Sequence, residues 1–305
     1  MHRPTTRALL GSPRHPRLVF RRSYDAPAAD VLAACTDPER LARWFGKVAG
    51  APFAVGDTFT AELGGDEDRA VGRVLSCDDD GFSTTWSWQG EAESVIRVRV
   101  TQADSGGTEL SIDHALAEPE HGAGYGGGWE QTLQSLSRLI GDAASDAPSD
   151  ETIEQDAVTA WRTLLGHPLE ITRQLDAPVE QVWAAFADAE GLRRWWWTHW
   201  DDVEITADVR PAGSYRISTA SQKIELTGTY LLVEPQSRLA FSWRWSDADG
   251  TTQDEAVDLT VRPADGGTEL IVRHTGPWSD DAPAEDYRQG WEFTLGELAR
   301  SLGRG

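Results

Sequence analysis

Two stretches decide the fold: "YDAPAADVLAACTDPERLARWF" (24–45) and "LDAPVEQVWAAFADAEGLRRWW" (175–196), which match at a spacing of 151 residues. Each follows a strand-like run, "RLVFRRSY" or "LEITRQL". Pro27 and Pro178 suit the first turn of a helix, with Asp25 or Ala26, and Asp176 or Ala177, near its N-cap. "VLAAC" and "VWAAF" continue that helix, and "DPERLARWF" and "DAEGLRRWW" read as a second short one.

The correspondence runs on. "GGTELSIDH" (106–114) matches "GGTELIVRH" (266–274) 160 residues later, and Tyr125, Trp129, Leu133, Leu136 and Ile140 match Tyr287, Trp291, Leu295, Leu298 and Leu302 at a spacing of 162. A repeat this long is a duplicated domain, because solenoid units run to only about 20–50 residues. The segments "FSTTWSW", "VIRVRV", "SYRIST", "LAFSWRW" and "AVDLTVR" alternate apolar and polar residues, the mark of antiparallel strands with one covered face. The closing segments carry apolar residues at i, i+4, i+8 and i+11, an amphipathic helix.

The expected architecture is therefore α+β. It comprises two tandem helix-grip domains, each a curved antiparallel sheet around a long C-terminal helix, with two short helices after the first strand. The expected boundaries are 18–142 for the first domain, 143–167 for a linker with a short helix capped by Asp150 or Thr152, and 168–303 for the second. Residues 1–17, basic and without a long apolar run, read as a loosely packed tail and not as a signal peptide. "GAGYGGGW" (122–129) reads as a flexible loop ahead of the closing helix.

The motifs "DAP…VW…DAEGLRRWW", "AGSYRIS", "GTYLLVEPQSRLAFSW", "GGTELIVRH" and "GWEFTLGELARSL" resemble the activator of heat-shock-protein-90 ATPase homologue-like family. That family belongs to the START-related SRPBCC superfamily, with polyketide cyclases and lipid-transfer proteins. The resemblance covers nearly all of both copies and is weaker in the first, whose middle, "TAELGGDEDRAVGRVLSCDDD", is acid-rich. It implies a hollow between sheet and closing helix in which a small apolar or aromatic ligand sits.

Composition narrows the partners. Lys and Arg number 28 against 50 Asp and Glu, a formal net charge of −22. This argues against nucleic acid and anionic membranes, both of which require a cationic footprint. The two cysteines, Cys35 and Cys77, form no disulfide framework and read as small buried hydrophobes, which suits a cytoplasmic location. No metal-ligand spacing, phosphate loop or nucleophile elbow is present, so neither cofactor, metal nor catalytic residue is assigned.

The candidate cavity residues are mostly aromatic. In the first copy they are Trp44, Phe45, Trp86, Trp88, His114 and Trp129. In the second they are Trp195, Trp196, Tyr215, Trp243, Trp245, His274, Tyr287 and Trp291. Successive residues of a helix point about 100° apart, so the run "RWWWTHW" (194–200) is expected to split: Trp195 and Trp196 line the cavity, Trp197 and Trp200 its rim. The second domain, richer in tryptophan, is expected to be the better site. His114 and His274 share strand parity with apolar neighbours and point inward, each held by a backbone carbonyl or aimed at a ligand. Three functions remain open at this stage: a carrier of a small apolar ligand, a cyclase- or hydrolase-like enzyme using His114 or His274 as acid–base group, and a co-chaperone-like or regulatory module binding a protein through exposed tryptophans.

Overall fold

The computed structural model describes residues 5–50, 54–64, 68–102, 107–141 and 148–303. His2 and the start of the expected tail, residues 65–67 of the acid-rich middle, and 142–147 of the expected linker lie outside those ranges. The chain forms two compact units, one containing Ser12–Arg162 and the other Thr163–Gly305. Both are α+β, with helices on an antiparallel sheet.

In the first unit β2 (His15–Tyr24) leads into α1 (Ala28–Thr36) and α2 (Pro38–Leu41). A meander follows: β3 (Lys47–Gly50), β4 (Thr58–Glu62), β5 (Arg69–Asp78), β6 (Gly81–Trp88), β7 (Ser94–Gln102) and β8 (Thr108–Ala115). The closing helix is α3 (Gly122–Leu139). β1 (Thr6–Ser12) adds an edge strand, giving the order β1-β2-β8-β7-β6-β5-β4-β3. The expected loose tail is thus partly strand.

The second unit repeats the plan. β9 (Leu169–Leu175), α5 (Val179–Ala184) and α6 (Ala189–Arg193) precede β10 (Val203–Ala207), β11 (Ser214–Thr219), β12 (Ile224–Glu234), β13 (Arg238–Ser246), β14 (Glu255–Ala264) and β15 (Gly267–Thr275). The helix α7 (Ala282–Leu302) closes it, and the sheet order is β10-β11-β12-β13-β14-β15-β9.

Local chemistry explains the matched openings. Pro27 and Pro178 stand at the N-caps of α1 and α5, one position earlier than expected, without a side-chain cap. Asp37 and Asp188 do cap the second short helices, accepting from Glu39 N and Arg40 N, and from Gly191 N, respectively. The indole Nε1 of Trp44 donates to Ala34 O at 2.9 Å, and that of Trp195 to Ala185 O at 2.9 Å. Each ring thereby satisfies a carbonyl left open at the end of the first short helix.

Strict alternation in β8, where Thr108, Leu110, Ile112 and His114 are buried in turn, aims one face at α3. On α3 the expected stripe, Trp129, Leu133 and Leu136, meets that face. A second face of α3 is also buried, at Gly126, Gly127, Glu130, Gln134 and Ser137, because α4 (Asp150–Leu164) lies near it. The expected flexible loop is therefore the first turns of a helix. A Cβ on Gly126 would stand 2.2 Å from Trp161 Cδ1, and one on Gly127 2.5 Å from Val158 Cγ2. The glycines are what lets the α4 side chains approach. Trp161 Nε1 then donates to the buried Glu130 Oε1 at 2.8 Å, and Arg7 binds the same carboxylate. Ser149, not Asp150 or Thr152, caps α4 through its Oγ to Thr152 N at 3.2 Å.

Candidate functional site

Two hollows meet in the first unit. Behind β6, β7 and β8 lies a cavity of about 60 Å³, lined mostly by apolar residues, among them Cys35, Phe59, Phe82, Ile112 and Trp44, and also by Thr84. Outside it opens a cleft of about 460 Å³, walled by Leu63, Trp88, Tyr125, Gln131 and Thr132, with Glu91, Glu120, His121 and Glu154 in its lining. Phe45, Trp86 and Trp129 line both. Phe45 stacks on Trp129 with centroids 5.7 Å apart and leans on Trp86 at 5.8 Å. These three rings are the partition between cavity and cleft.

His114 stands behind that partition, fully buried. Trp129 Nε1 donates to its Nδ1 at 3.1 Å, so the imidazole proton resides on Nε2, which faces Ser94 Oγ at 2.9 Å. Ser94 Oγ donates onward to Trp86 O at 3.0 Å. Both ring nitrogens are occupied, and burial lowers the His114 pKa to about 3. The partners are an indole and a hydroxyl in place of the backbone carbonyl expected. The arrangement holds Trp129 in the partition and leaves no nitrogen for a substrate.

The second unit places His274 likewise, with Trp291 Nε1 3.3 Å from Nδ1 and burial lowering its pKa to about 3. Its Nε2 differs. Ser94 pairs across the ladder with Trp86, and Glu255 pairs with Trp243, so Glu255 occupies the Ser94 position. The Glu255 carboxylate lies 3.9 Å from His274 Nε2, beyond hydrogen-bond reach. It accepts from Tyr287 Oη at 2.8 Å, Thr252 Oγ1 at 3.0 Å and Trp278 Nε1 at 3.3 Å. Burial nevertheless holds its pKa above the usual carboxylate range. In the first unit the equivalent tyrosine, Tyr125, donates instead to Glu91 at 2.6 Å, out at the cleft.

In the second unit a hollow of only about 20 Å³ is lined by Phe186, Leu192, Trp196, Tyr215, Ile217, Tyr230, Leu239 and Phe241. Aligned positions show why. Phe186 stands where the first copy has Cys35, and Trp196 where it has Phe45. Thr84 and Phe241 each lie one strand beyond the residue paired with the repeated inward histidine, Ile96 opposite His114 and Val257 opposite His274. Three larger side chains fill what the smaller ones leave open.

A family model described as "Activator of Hsp90 ATPase homolog 1-like protein" matches residues 25–141 and 176–303, one match to each copy. The chain belongs to that family. Among solved structures, CalU16 from Micromonospora echinospora is 27% identical over 54% of this chain and 99% of its own, with a TM-score of 0.45. CV1439 from Chromobacterium violaceum is 27% identical over 45% of this chain and 97% of its own, TM-score 0.38. DynU16, from the dynemicin biosynthetic locus, is 19% identical over 93% of this chain and 97% of its own, TM-score 0.37. No curated protein matches the sequence.

Within this activator-homologue fold the remaining candidates fall as follows. Trp195, Trp196, Tyr215, Trp243 and Trp291 belong to one buried cluster, against which Trp245 and Tyr287 pack. The "RWWWTHW" run does not split as expected: Trp195, Trp196 and Trp197 are all buried. The expectation assumed a continuing helix, but α6 ends at Arg193 and Trp197 takes a left-handed φ of 51°, so the regular helical step does not hold across the run. Every tryptophan in the chain is buried or half-buried, so the exposed indoles expected to greet a protein partner are not there. Cys35 is buried, with its thiol pKa pushed up to about 12, whereas Cys77 is exposed on β5. Ser94, Glu91, Glu255 and Thr84 escaped the sequence reading. Their signal was the spacing of about 161 residues that sets "SVIRVRV" against "EAVDLTV". Among the described residues no helix is long and apolar enough to cross a membrane.

Proposed function

We propose that the first domain binds a small apolar or aromatic molecule and that the second is a filled copy. The observation that carries this reading is the cleft of about 460 Å³ whose aromatic floor is shared with an inner apolar cavity. Its size falls in the range of small-molecule sites, about 300–1,000 Å³. The guest lies in the cleft and presses an apolar end between Phe45, Trp86 and Trp129 toward the cavity. Cys35 and Thr84 leave room there that Phe186 and Phe241 deny in the second domain.

An acid–base enzyme is less well supported, because both inward histidines titrate near 3 and His114 has no free nitrogen. The exposed free Cys77 suits a reducing, cytoplasmic compartment. The proposed domain limits remain 18–142 and 168–303, with β2 reaching back to His15 and α4 of the intervening segment serving the first domain as far as Arg162. The test is calorimetric titration of the full chain with naphthylmethanol, a neutral aromatic probe. Saturable binding at one site per chain is expected. No heat of binding, or two equivalent sites, overturns the reading.

A further inference from the structure

We propose that the cleft of the first domain selects a protonated amine carried on an aromatic body; this rests on the reading of the cleft as a small-molecule site. Carboxylates reach its lining from three separate elements: Glu91 from the turn between β6 and β7, Glu120 from the turn ahead of α3, and Glu154 from α4. Among the described residues lining it there is no Lys or Arg. His121, which also lines it, stands between two carboxylates, 3.5 Å from Glu91 and 3.7 Å from Glu118. Below this rim lie the Trp86 and Trp88 rings, stacked at 6.4 Å with 27° between their planes. The buried Trp86 Nε1 faces the Tyr125 hydroxyl without closing a well-formed hydrogen bond.

Indole faces attract cations through their negative π surface. Carboxylates that no arginine or lysine neutralises add to that field and disfavour an anionic guest by like-charge repulsion. The same floor accepts the flat apolar remainder of the molecule. The three rim carboxylates are not all carried over between the copies. At the spacing of the closing helices, Glu120 and His121 correspond to Ala282 and Pro283, and Glu154 comes from a helix outside the repeat.

The experiment compares naphthylmethylamine, naphthylmethanol and naphthoate on the full chain by calorimetry, and repeats the series on an E91Q/E120Q/E154Q variant. The amine is expected to bind about tenfold tighter than the alcohol, with naphthoate weakest. In the variant the ratio of amine to alcohol affinity falls from about ten to about one; read within each protein, that ratio is not moved by a loss common to both probes. Equal affinity for amine and alcohol, or an amine preference that survives the triple substitution, overturns the proposal and leaves the neutral-ligand reading standing. Absence of binding by all three probes overturns both.

Discussion

Thr84→Phe places in the first domain the ring that Phe241 supplies in the second. Thr84 is buried and lines the inner cavity of about 60 Å³. Filling that volume is worth at most about 1.4 kcal/mol, taking roughly 24 cal/mol per Å³ of cavity. Crowding of Phe45, Trp86 and Trp129 opposes it, since overpacked cores lose about 1–3 kcal/mol. The two terms nearly cancel, and urea unfolding is expected to stay within about 2 kcal/mol of wild type in either direction. Binding responds differently. With the space behind the partition gone, the rings cannot part for a guest, and naphthylmethanol affinity falls at least about tenfold, equivalent to about 1.4 kcal/mol. Calorimetry on both proteins reads the affinity and chemical denaturation the stability. Undiminished binding in the variant would show that the guest never uses the cavity, and a loss above about 4 kcal/mol would show that the cavity is not space the core can fill.

Other expectations follow from the same contacts. The converse change, Phe241→Thr, empties a buried position and is expected to cost the second domain about 3–5 kcal/mol; it also creates a second, weaker probe site, seen as a change in calorimetric stoichiometry. His114 and His274 titrate near 3 when folded and about 6.5 when unfolded, so between those values the unfolded chain binds more protons and stability falls as pH drops. At pH 5 the cost is about 2 kcal/mol per histidine, and a H114Q/H274Q variant should show a flatter dependence of its urea midpoint between pH 7 and pH 5; an unchanged slope would contradict the assignment. Gly126→Ala drives a methyl into Trp161 and is expected to destabilise the first domain by about 1–3 kcal/mol, whereas Gly128→Ala, with open space around its Cβ position, should not.

The duplication, the closing helices and the inward histidines were legible because they rest on periodicity and repeated motifs, which a single sequence displays. The location of the hollow was not. Counting tryptophans pointed to the second domain, yet large rings fill a core as readily as they line a cavity, and only the ladder register sets Phe241 against Thr84. The tryptophan run was misread because the helix stops at Arg193 and Trp197 is left-handed, so helical periodicity does not hold across it. "GAGYGGGW" looked like a loop because glycine is a poor helix former, and its helical role depends on Trp161, more than thirty residues away. Strands β4 and β5 hid in the acid-rich middle, where exposed charges mask the alternation.

The two domains share a plan and, on the function proposed above, differ in whether their interiors admit a guest; the indole N–H signals of the full chain, followed by nitrogen-edited NMR during naphthylmethanol titration, test that difference most directly. Shifts at Trp86, Trp88 and Trp129, with Trp196, Trp243 and Trp291 unmoved, are the predicted result. Shifts confined to the second group would contradict it.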